Sequence, residues 1–323
     1  MKQRILVLGA GGFIGRRVVA ALAATPWATP VAAVHRSPPP PGAAETVRLD
    51  AADAPALQQA VDFVDAVVNC VAGSPATIVA AARALSAVAG TSPHVRRVVH
   101  LSTMAVYGSA VGTVDESAAL RGDVGAYAAA KVEAERIAAT CGVTVTLRPG
   151  CVYGPGSVQW SERIARWLIA RRVGDLGAAG DGTCNLVYVD DLVAAIIAAL
   201  RLPRVAGEAF NVGSPEPPTW NEYFLSFARA LGAVPVRRIS GRQLTLETKL
   251  WAPPLKAAEL ALRFARLHRL QVPPPIPPSL LRSWGQEIRL DVRKASAVLG
   301  VNWTPVEVGL HETAGQLRAT AVA

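Results

Sequence analysis

Short apolar runs alternate with helical patterns along the first half of the chain. The spans between most runs have the apolar spacing of helices, and the spans 16–24, 78–89 and 192–200 fit helices that cross from one strand to the next. Parallel strands joined by such helices form doubly wound sheets, so the sequence predicts an α/β fold with a Rossmann-type parallel sheet. The predicted strands are 4–8, 31–34, 46–49, 65–70, 96–102 and 143–148.

The regular alternation ends near residue 156, which indicates a second, smaller and mostly helical lobe. Two later segments, 187–200 and 210–213, resemble the first half in pattern and are interpreted as returns to the larger domain. The predicted larger domain covers 1–155 and 184–214, and the predicted lobe covers 156–183 and 215–323.

One basic amphipathic helix is predicted in the lobe, between Pro-rich segments at 251–254 and 272–278. Three interpretations of it stay open: packing on the lobe, a lid over an apolar substrate, or contact with a membrane interface. Its apolar stripe is Ala257, Leu260, Ala261, Phe264 and Leu267, and its opposite face carries Lys256, Glu259, Arg263 and Arg266.

A glycine-rich turn follows the first predicted strand and leads into the first predicted helix. Gly9 allows a tight turn, Gly12 lets the backbone approach a pyrophosphate, and Gly15 lets the helix pack closely on the strand. Phe13 and Ile14 belong to the same motif, directly before the predicted helix, whose N-terminus offers free backbone N–H groups to an anion. The turn predicts a site for a nicotinamide dinucleotide cofactor.

A second motif pairs Tyr127 with Lys131 at a spacing that places both on one face of a helix. A free phenol has a pKa of about 10, so acting as a base near neutral pH requires lowering it by about 3 units. A nearby lysine and a cationic nicotinamide ring favour that change. Thr103, or alternatively Ser102, is expected to donate a hydrogen bond to the substrate oxygen.

With these motifs the chain resembles the extended branch of the short-chain dehydrogenase/reductase superfamily, which includes NAD(P)-dependent epimerases and dehydratases. The resemblance implies that Tyr127 is the acid/base, that Lys131 binds the nicotinamide ribose and lowers the tyrosine pKa, and that Thr103 polarises the substrate. The matching segments are Gly-Ala-Gly-Gly-Phe-Ile-Gly at 9–15, Leu-Ser-Thr-Met-Ala-Val-Tyr-Gly at 101–108, Tyr127 with Lys131, Leu-Arg-Pro-Gly-Cys-Val-Tyr-Gly-Pro-Gly at 147–156, Val-Tyr-Val-Asp-Asp-Leu at 187–192 and Phe-Asn-Val-Gly at 210–213.

The residues at the end of the second predicted strand indicate which cofactor is bound: they favour NADP, and NAD is the alternative. His35 occupies the position where an acidic residue would bind the adenine ribose, and Arg36 is suited to a 2′-phosphate. Arg16 either reaches the same phosphate or is a solvated residue at the helix start. The resemblance implies further cofactor contacts from Asp50, Ala51, Val71, Ala72, Pro149 and Val152.

Departures from the family pattern narrow the chemistry. Dehydratases of this branch carry an Asp-Glu pair directly after the catalytic threonine, where this chain has Met104 and Ala105. Sugar-nucleotide epimerases usually carry an asparagine and an arginine at the positions aligned with Cys151 and Cys184. Loss of the arginine removes a charge-assisted contact to a substrate diphosphate.

We therefore expect an NADP-dependent oxidoreductase that interconverts a carbonyl and an alcohol. The first alternative is a nucleotide-sugar epimerase with tightly held NAD(P), and the second is a non-catalytic protein that senses NADP. The expected partner is a small-molecule substrate, apolar or linked to a sugar. The resemblance to the extended branch, in which dimers are frequent, also implies a homodimer.

Composition adds exclusions. The four cysteines are scattered without metal-ligand spacing, so we expect reduced thiols, no metal and a cytoplasmic location. The net charge of +9 comes from dispersed basic residues, which argues against nucleic acid and fits an anionic cofactor or substrate. No apolar run is long enough for membrane insertion, and the apolar start is a strand, so no export signal is expected.

Overall fold

The computed structural model describes residues 2–246 and 276–322. Contacts divide the chain into two compact units. Four segments fall in the opposite unit from the domain that the sequence assigned to them: 151–155, 184–188, residue 215 and 290–303. Unit 1 consists of Met1–Gly150, Val189–Pro215 and Leu290–Trp303, and unit 2 consists of Cys151–Tyr188, Glu216–Arg289 and Thr304–Ala323.

Strands and helices alternate regularly only in the first half of the chain. Up to residue 149 the elements are β1 (Gln3–Leu8), α1 (Phe13–Ala23), β2 (Ala28–Val34), β3 (Glu45–Arg48), α2 (Ala54–Val61), β4 (Ala66–Asn69), α3 (Pro75–Thr91), β5 (Arg97–Leu101), β6 (Gly112–Val114), α4 (Ala126–Ala139) and β7 (Thr144–Pro149). Beyond it they are β8 (Cys151–Tyr153), α5 (Arg163–Ile169), β9 (Leu186–Tyr188), α6 (Val189–Arg201), β10 (Ala209–Val212), α7 (Trp220–Leu231), α8 (Gly241–Leu246), α9 (Pro278–Trp284), β11 (Ile288–Leu290) and α10 (Val306–Val322).

Unit 1 is built on a seven-stranded parallel sheet in the order β10-β7-β5-β4-β1-β2-β3. The central strand β1 is apolar on both faces, and residues 5–8 are fully buried, as expected for a sheet covered by helices on both sides. The predicted Rossmann-type doubly wound fold is confirmed. Strand order reverses between β1 and β4, and in such folds ligands bind at the carboxyl ends of the strands flanking this reversal.

Helices of unit 1 pack in two groups, α1 with α6, and α2, α3 and α4 in succession. Because βαβ crossovers are right-handed, the helices lie on one face where successive strands are added towards one edge of the sheet, and on the opposite face where they are added towards the other edge. Local sequence sets the starts of two helices. Asp53 caps α2 and Ser74 caps α3, and each side chain accepts a hydrogen bond from the backbone N–H three residues later.

Unit 2 has an aromatic core. Strands β8 and β9 pair in parallel, and α7 packs on α5 and α10. Thr219 and Glu222 form a reciprocal capping box at the start of α7, and Gly232 ends that helix in the left-handed conformation. The predicted amphipathic helix at 257–267 lies outside the described residues. Fully buried rings of the core are Trp167, Trp220, Trp284, Tyr223, Phe224 and Phe227.

Two helical glycines of unit 1 give a test of the packing. A methyl group at Gly15 would lie 2.3 Å from the Gly9 carbonyl oxygen, whereas one at Gly90 would meet no atom within 4 Å. We expect Gly15→Ala to lower the free energy of unfolding by about 1–3 kcal/mol through overpacking. Gly90→Ala should raise it by about 0.5–1 kcal/mol through helix propensity. Urea unfolding followed by circular dichroism measures both, and equal effects of the two variants would contradict the packing.

Candidate active site

The turn between β1 and α1 touches the end of β4 at the point where strand order reverses. Gly9 has a φ of +72°, and a side chain there would lie 2.9 Å from the Cys70 carbonyl oxygen. The Gly12 N–H donates to the Gly9 oxygen at 2.9 Å, and no side chain caps α1. Phe13 and Ile14, both half-buried, therefore begin a helix whose first N–H groups face away from protein acceptors.

Basic side chains surround the loop after β2. Arg16 Nη2 donates to the Gly11 carbonyl at 3.0 Å, and a methyl group on Gly11 would collide with Ser37. The glycine turn and the loop after β2 are thus in direct contact. His35 and Arg36 lie on that loop, and both are exposed.

Arg48 is a member of this cluster that the sequence analysis missed. It ends β3, pairs in register with Val34 of β2, and donates from Nη1 to the His35 carbonyl at 3.0 Å. Arg48 lies within the predicted strand 46–49, but the order of the strands was needed to place it beside His35 and Arg36.

The predicted adenine-side and β4-side residues follow the adjacent strands. Asp50 is exposed and accepts a hydrogen bond from the backbone two residues later at 3.0 Å, and Ala51 is half-buried beside it. Val71 is half-buried and donates its N–H to the Asn69 side chain at 3.1 Å, while Ala72 is exposed. All four lie after carboxyl ends of strands in the same sheet.

The last two predicted cofactor residues fall in different units. Pro149 is buried at the end of β7 in unit 1, whereas Val152 is half-buried on β8 in unit 2. Their common role stays a prediction.

One face of α4 holds the end of β5 by three consecutive contacts. Tyr127, Lys131 and Glu135 are spaced one helical turn apart, and each contacts one residue of the segment 101–103. The two side chains paired in the sequence analysis, Thr103 and Tyr127, are thus brought together. The contacts are Lys131 Nζ donating to the Leu101 carbonyl at 2.8 Å, Ser102 Oγ donating to Glu135 Oε2 at 2.6 Å, and a hydrogen bond between the Thr103 and Tyr127 side chains.

Burial sets the protonation of this face. It raises the pKa of Tyr127 above 10, and the hydrogen bond with Thr103 offsets part of the rise. The Tyr127 residue nonetheless keeps 48% of its surface exposed, so its ring is open to a substrate. Lys131 is 4% exposed, and burial lowers its pKa to about 8 against the opposing effects of Cys70 and Glu135. The implied lowering of the tyrosine pKa by Lys131 stays a prediction for the cofactor-bound protein.

A buried ion pair lies beneath this face. Arg148 of β7 donates from Nε to Glu135 Oε1 at 2.9 Å, and its Nη2 donates to the same oxygen. Arg148 Nη1 donates to the Tyr107 hydroxyl at 2.9 Å, and that hydroxyl donates to Asn211 Oδ1 at 2.6 Å. All four side chains are at most 5% exposed.

These geometries fit a nicotinamide dinucleotide. The backbone of the glycine turn occupies space that a Cβ would fill, which is the close approach that a pyrophosphate requires. The hydroxyl and amine of Tyr127 and Lys131 lie at the carboxyl edge of the same sheet. Within residues 2–246 and 276–322, no group of three His, Cys, Asp or Glu side chains is arranged to hold a metal ion. In the same ranges, no helix is both long and apolar enough to cross a membrane.

Sequence reasoning also missed Glu135 and Arg148. Glu135 continues the four-residue spacing of Tyr127 and Lys131, and Arg148 lies in the Leu-Arg-Pro part of the family motif. Both signals were therefore present in the sequence. Their pairing depends on β7 lying next to β5, which single-chain periodicity does not specify.

Comparison with known proteins agrees with this architecture. The chain is 30% identical over 266 residues to a 2-alkyl-3-oxoalkanoate reductase from Stenotrophomonas maltophilia (strain K279a), covering 72% of this chain and 76% of that protein. It has the fold of the UDP-glucuronic acid 4-epimerase from Bacillus cereus, solved with NAD, at a TM-score of 0.73, 19% identity and coverage of 98% and 99%. The UDP-glucose 4-epimerase of Thermotoga maritima gives a TM-score of 0.74 at 20% identity, with coverage of 98% and 99%.

The family model supplies the assignment. It describes the NAD dependent epimerase/dehydratase family and matches residues 5–213, which include the glycine turn, the end of β5 and the Tyr127–Lys131 pair. The resemblance inferred from the motifs is confirmed, and the chain belongs to the NAD dependent epimerase/dehydratase family.

Proposed function

We propose that this protein is an NADP-dependent oxidoreductase that reduces a ketone to a secondary alcohol at a Thr103, Tyr127 and Lys131 site. The observation that carries the proposal is Tyr127, a residue that is 48% exposed, whose hydroxyl is hydrogen-bonded to Thr103 and whose pKa is raised by burial. A neutral phenol beside a second hydroxyl is suited to give a proton to a carbonyl oxygen.

The residues divide the work in a defined way. Thr103 and Tyr127 hold the carbonyl oxygen between two hydroxyl groups, and Tyr127 transfers its proton to that oxygen as the carbonyl carbon is reduced. A bound nicotinamide supplies the hydride. Lys131, anchored to the Leu101 carbonyl, places a buried cation near the developing phenolate and stabilises it. Unit 1, which carries the glycine turn and Tyr127, would bind the cofactor.

Two cysteines of unit 2 favour reduction over sugar-nucleotide epimerisation. Cys151 and Cys184 occupy the positions where epimerases of this family usually carry an asparagine and an arginine. Both thiols are buried, and burial raises the pKa of Cys151 to about 12 and that of Cys184 well above its usual value. Neutral thiols enclosed by the aromatic core offer no charged contact to a diphosphate.

The substrate class follows from chemistry and from the reductase relative. A 2-alkyl-3-oxoalkanoate combines a ketone with a carboxylate and apolar tails, and the net charge of +9 favours such an anion. We therefore propose a 3-oxo acid or a close analogue as substrate, reduced at the keto group.

Basic residues at the adenosine end favour NADP. Arg36 and Arg48 flank His35, and Arg16 reaches the glycine turn beside the same loop. None of these groups is a carboxylate, so the loop offers donors to a 2′-phosphate rather than acceptors for ribose hydroxyls.

The first prediction concerns turnover. We expect the purified protein to oxidise NADPH, followed at 340 nm, in the presence of 3-oxo acids or simple ketones. Tyr127→Phe should lower kcat by at least 100-fold, on the order of one lost general acid, and leave NADPH affinity within twofold. Tyr188→Phe, whose hydroxyl donates to Glu312 within unit 2, is the matched control and should keep kcat.

If no carbonyl substrate is reduced, and the protein instead converts a nucleotide sugar and copurifies with its cofactor, the epimerase replaces the reductase as the function. Full activity of Tyr127→Phe would remove Tyr127 from the mechanism. NADPH binding with no turnover of either kind would favour a protein that senses NADP.

The second prediction concerns cofactor choice. Removing one charge-assisted contact to the 2′-phosphate costs about 1.5–3 kcal/mol, so Arg36→Ala should weaken NADPH binding by about 10- to 100-fold and leave NADH binding unchanged. Arg96→Ala is the control, because Arg96 is exposed at the opposite, amino end of β5. Fluorescence titration measures the affinities of the wild type and both variants for NADPH and NADH, and equal NADPH affinity in Arg36→Ala and wild type would contradict the assignment.

A further inference from the structure

Glu135 has no part in the chemistry proposed above, yet it is the third member of the α4 face. It is 5% exposed, follows Lys131 by one turn, and accepts the Ser102 hydroxyl at 2.6 Å. Ser102 lies between the residue that anchors Lys131 and the residue that contacts Tyr127. Glu135 therefore binds Ser102, and the two residues that flank Ser102 contact Lys131 and Tyr127.

The other carboxylate oxygen extends the connection sideways. Oε1 accepts the Arg148 fork from β7, and Arg148 continues to Tyr107 and to the Glu116 carbonyl, the latter at 3.0 Å. The hydrogen bonds that the structure shows for this guanidinium group go to buried Glu135 and Tyr107 and to half-buried Glu116. A charged pair in such surroundings keeps one geometry, because leaving either partner unpaired is costly.

We propose that Glu135 is the positioning residue of this site: its carboxylate joins Ser102 to Arg148 and fixes the face of α4 that carries Tyr127 and Lys131. The inference rests on the proposed function for its catalytic consequence. Its structural consequence, the placement of a negative charge near Lys131, is independent of any substrate.

The electrostatic consequence is specific to Lys131. The ionisable groups that act on this amine are the Cys70 thiol after β4 and Glu135 on its own helix, and the amine in turn lowers the pKa of the buried His100. His100 has a pKa of about 3 and is neutral at physiological pH, and burial raises the pKa of Cys70 to about 12. Glu135 is thus the anionic partner of Lys131 near neutral pH.

The test measures Lys131 directly. The chain has five lysines, so a protein labelled with carbon-13 lysine gives few Cε signals, and Lys131→Arg assigns the one of interest. In the wild type this signal should titrate near pH 8. In Glu135→Gln the midpoint should fall by about 1 unit or more, because the favourable charge is gone. In Glu133→Gln, an exposed glutamate on the same helix, it should not move.

A second variant separates charge from geometry and covers the case in which Glu135→Gln does not fold. Glu135→Asp keeps the charge but shortens the reach to Ser102, so the Lys131 midpoint should stay within about 0.5 unit. Its kcat should fall about tenfold or more while NADPH affinity stays unchanged, since misplacement of about 1 Å suffices.

Each outcome is decisive. An unchanged Lys131 titration in folded Glu135→Gln, or wild-type kcat in Glu135→Asp, would overturn the proposal. If no substrate is turned over by the wild type, the proposed function fails, and the titration still decides whether Glu135 sets the state of Lys131.

Discussion

Glu135 and Arg148 form an ion pair at the centre of unit 1, and the arrangement of the site depends on it. Both side chains are at most 5% exposed, so their desolvation is offset only if the remaining donors and acceptors are satisfied. The structure meets that condition by adding Ser102, Tyr107 and Asn211, which link β5, the turn after it and β10. A polar network therefore joins α4 to three parallel strands at their carboxyl ends. On the positioning role proposed for Glu135, this network fixes the orientation of Tyr127 on a helix in which seven of 14 residues are alanine.

The glycine turn obeys a second constraint, which is steric. Gly9 approaches Cys70 so closely that no side chain fits, and Gly11 of the same turn lies similarly close to Ser37, in the loop after β2. The three loops that follow β1, β2 and β4 consequently meet where strand order reverses. Backbone N–H groups and arginines at this point favour an anionic cofactor, and the proposed proton donor, Tyr127, lies on the α4 face at the end of the neighbouring strand β5.

Local patterns predicted much of the fold and part of the site. Each of the six predicted strands overlaps a strand of the parallel sheet, because buried parallel strands are continuous apolar runs. β2 begins earlier than predicted, at Ala28. Pro30 precedes the part of β2 that pairs with β3, so its missing N–H is tolerated.

The site residues that sequence reasoning missed depend on contacts between distant segments. Glu135 shares the spacing of Tyr127 and Lys131, but its role depends on Arg148 of a neighbouring strand. Arg48 becomes informative only when β3 lies beside β2. The raised pKa of Tyr127 likewise reflects burial, which the motif alone does not report.

The central claim is that Tyr127 and a bound nicotinamide reduce a carbonyl group with net consumption of cofactor. Its most direct test supplies NADPH deuterated at the transferred position of C4 together with a 3-oxo acid, and determines the product by mass spectrometry. The account predicts a hydroxy acid that carries one deuterium on the new carbinol carbon. Absence of deuterium in the product, with a nucleotide sugar epimerised by the same preparation, would contradict it.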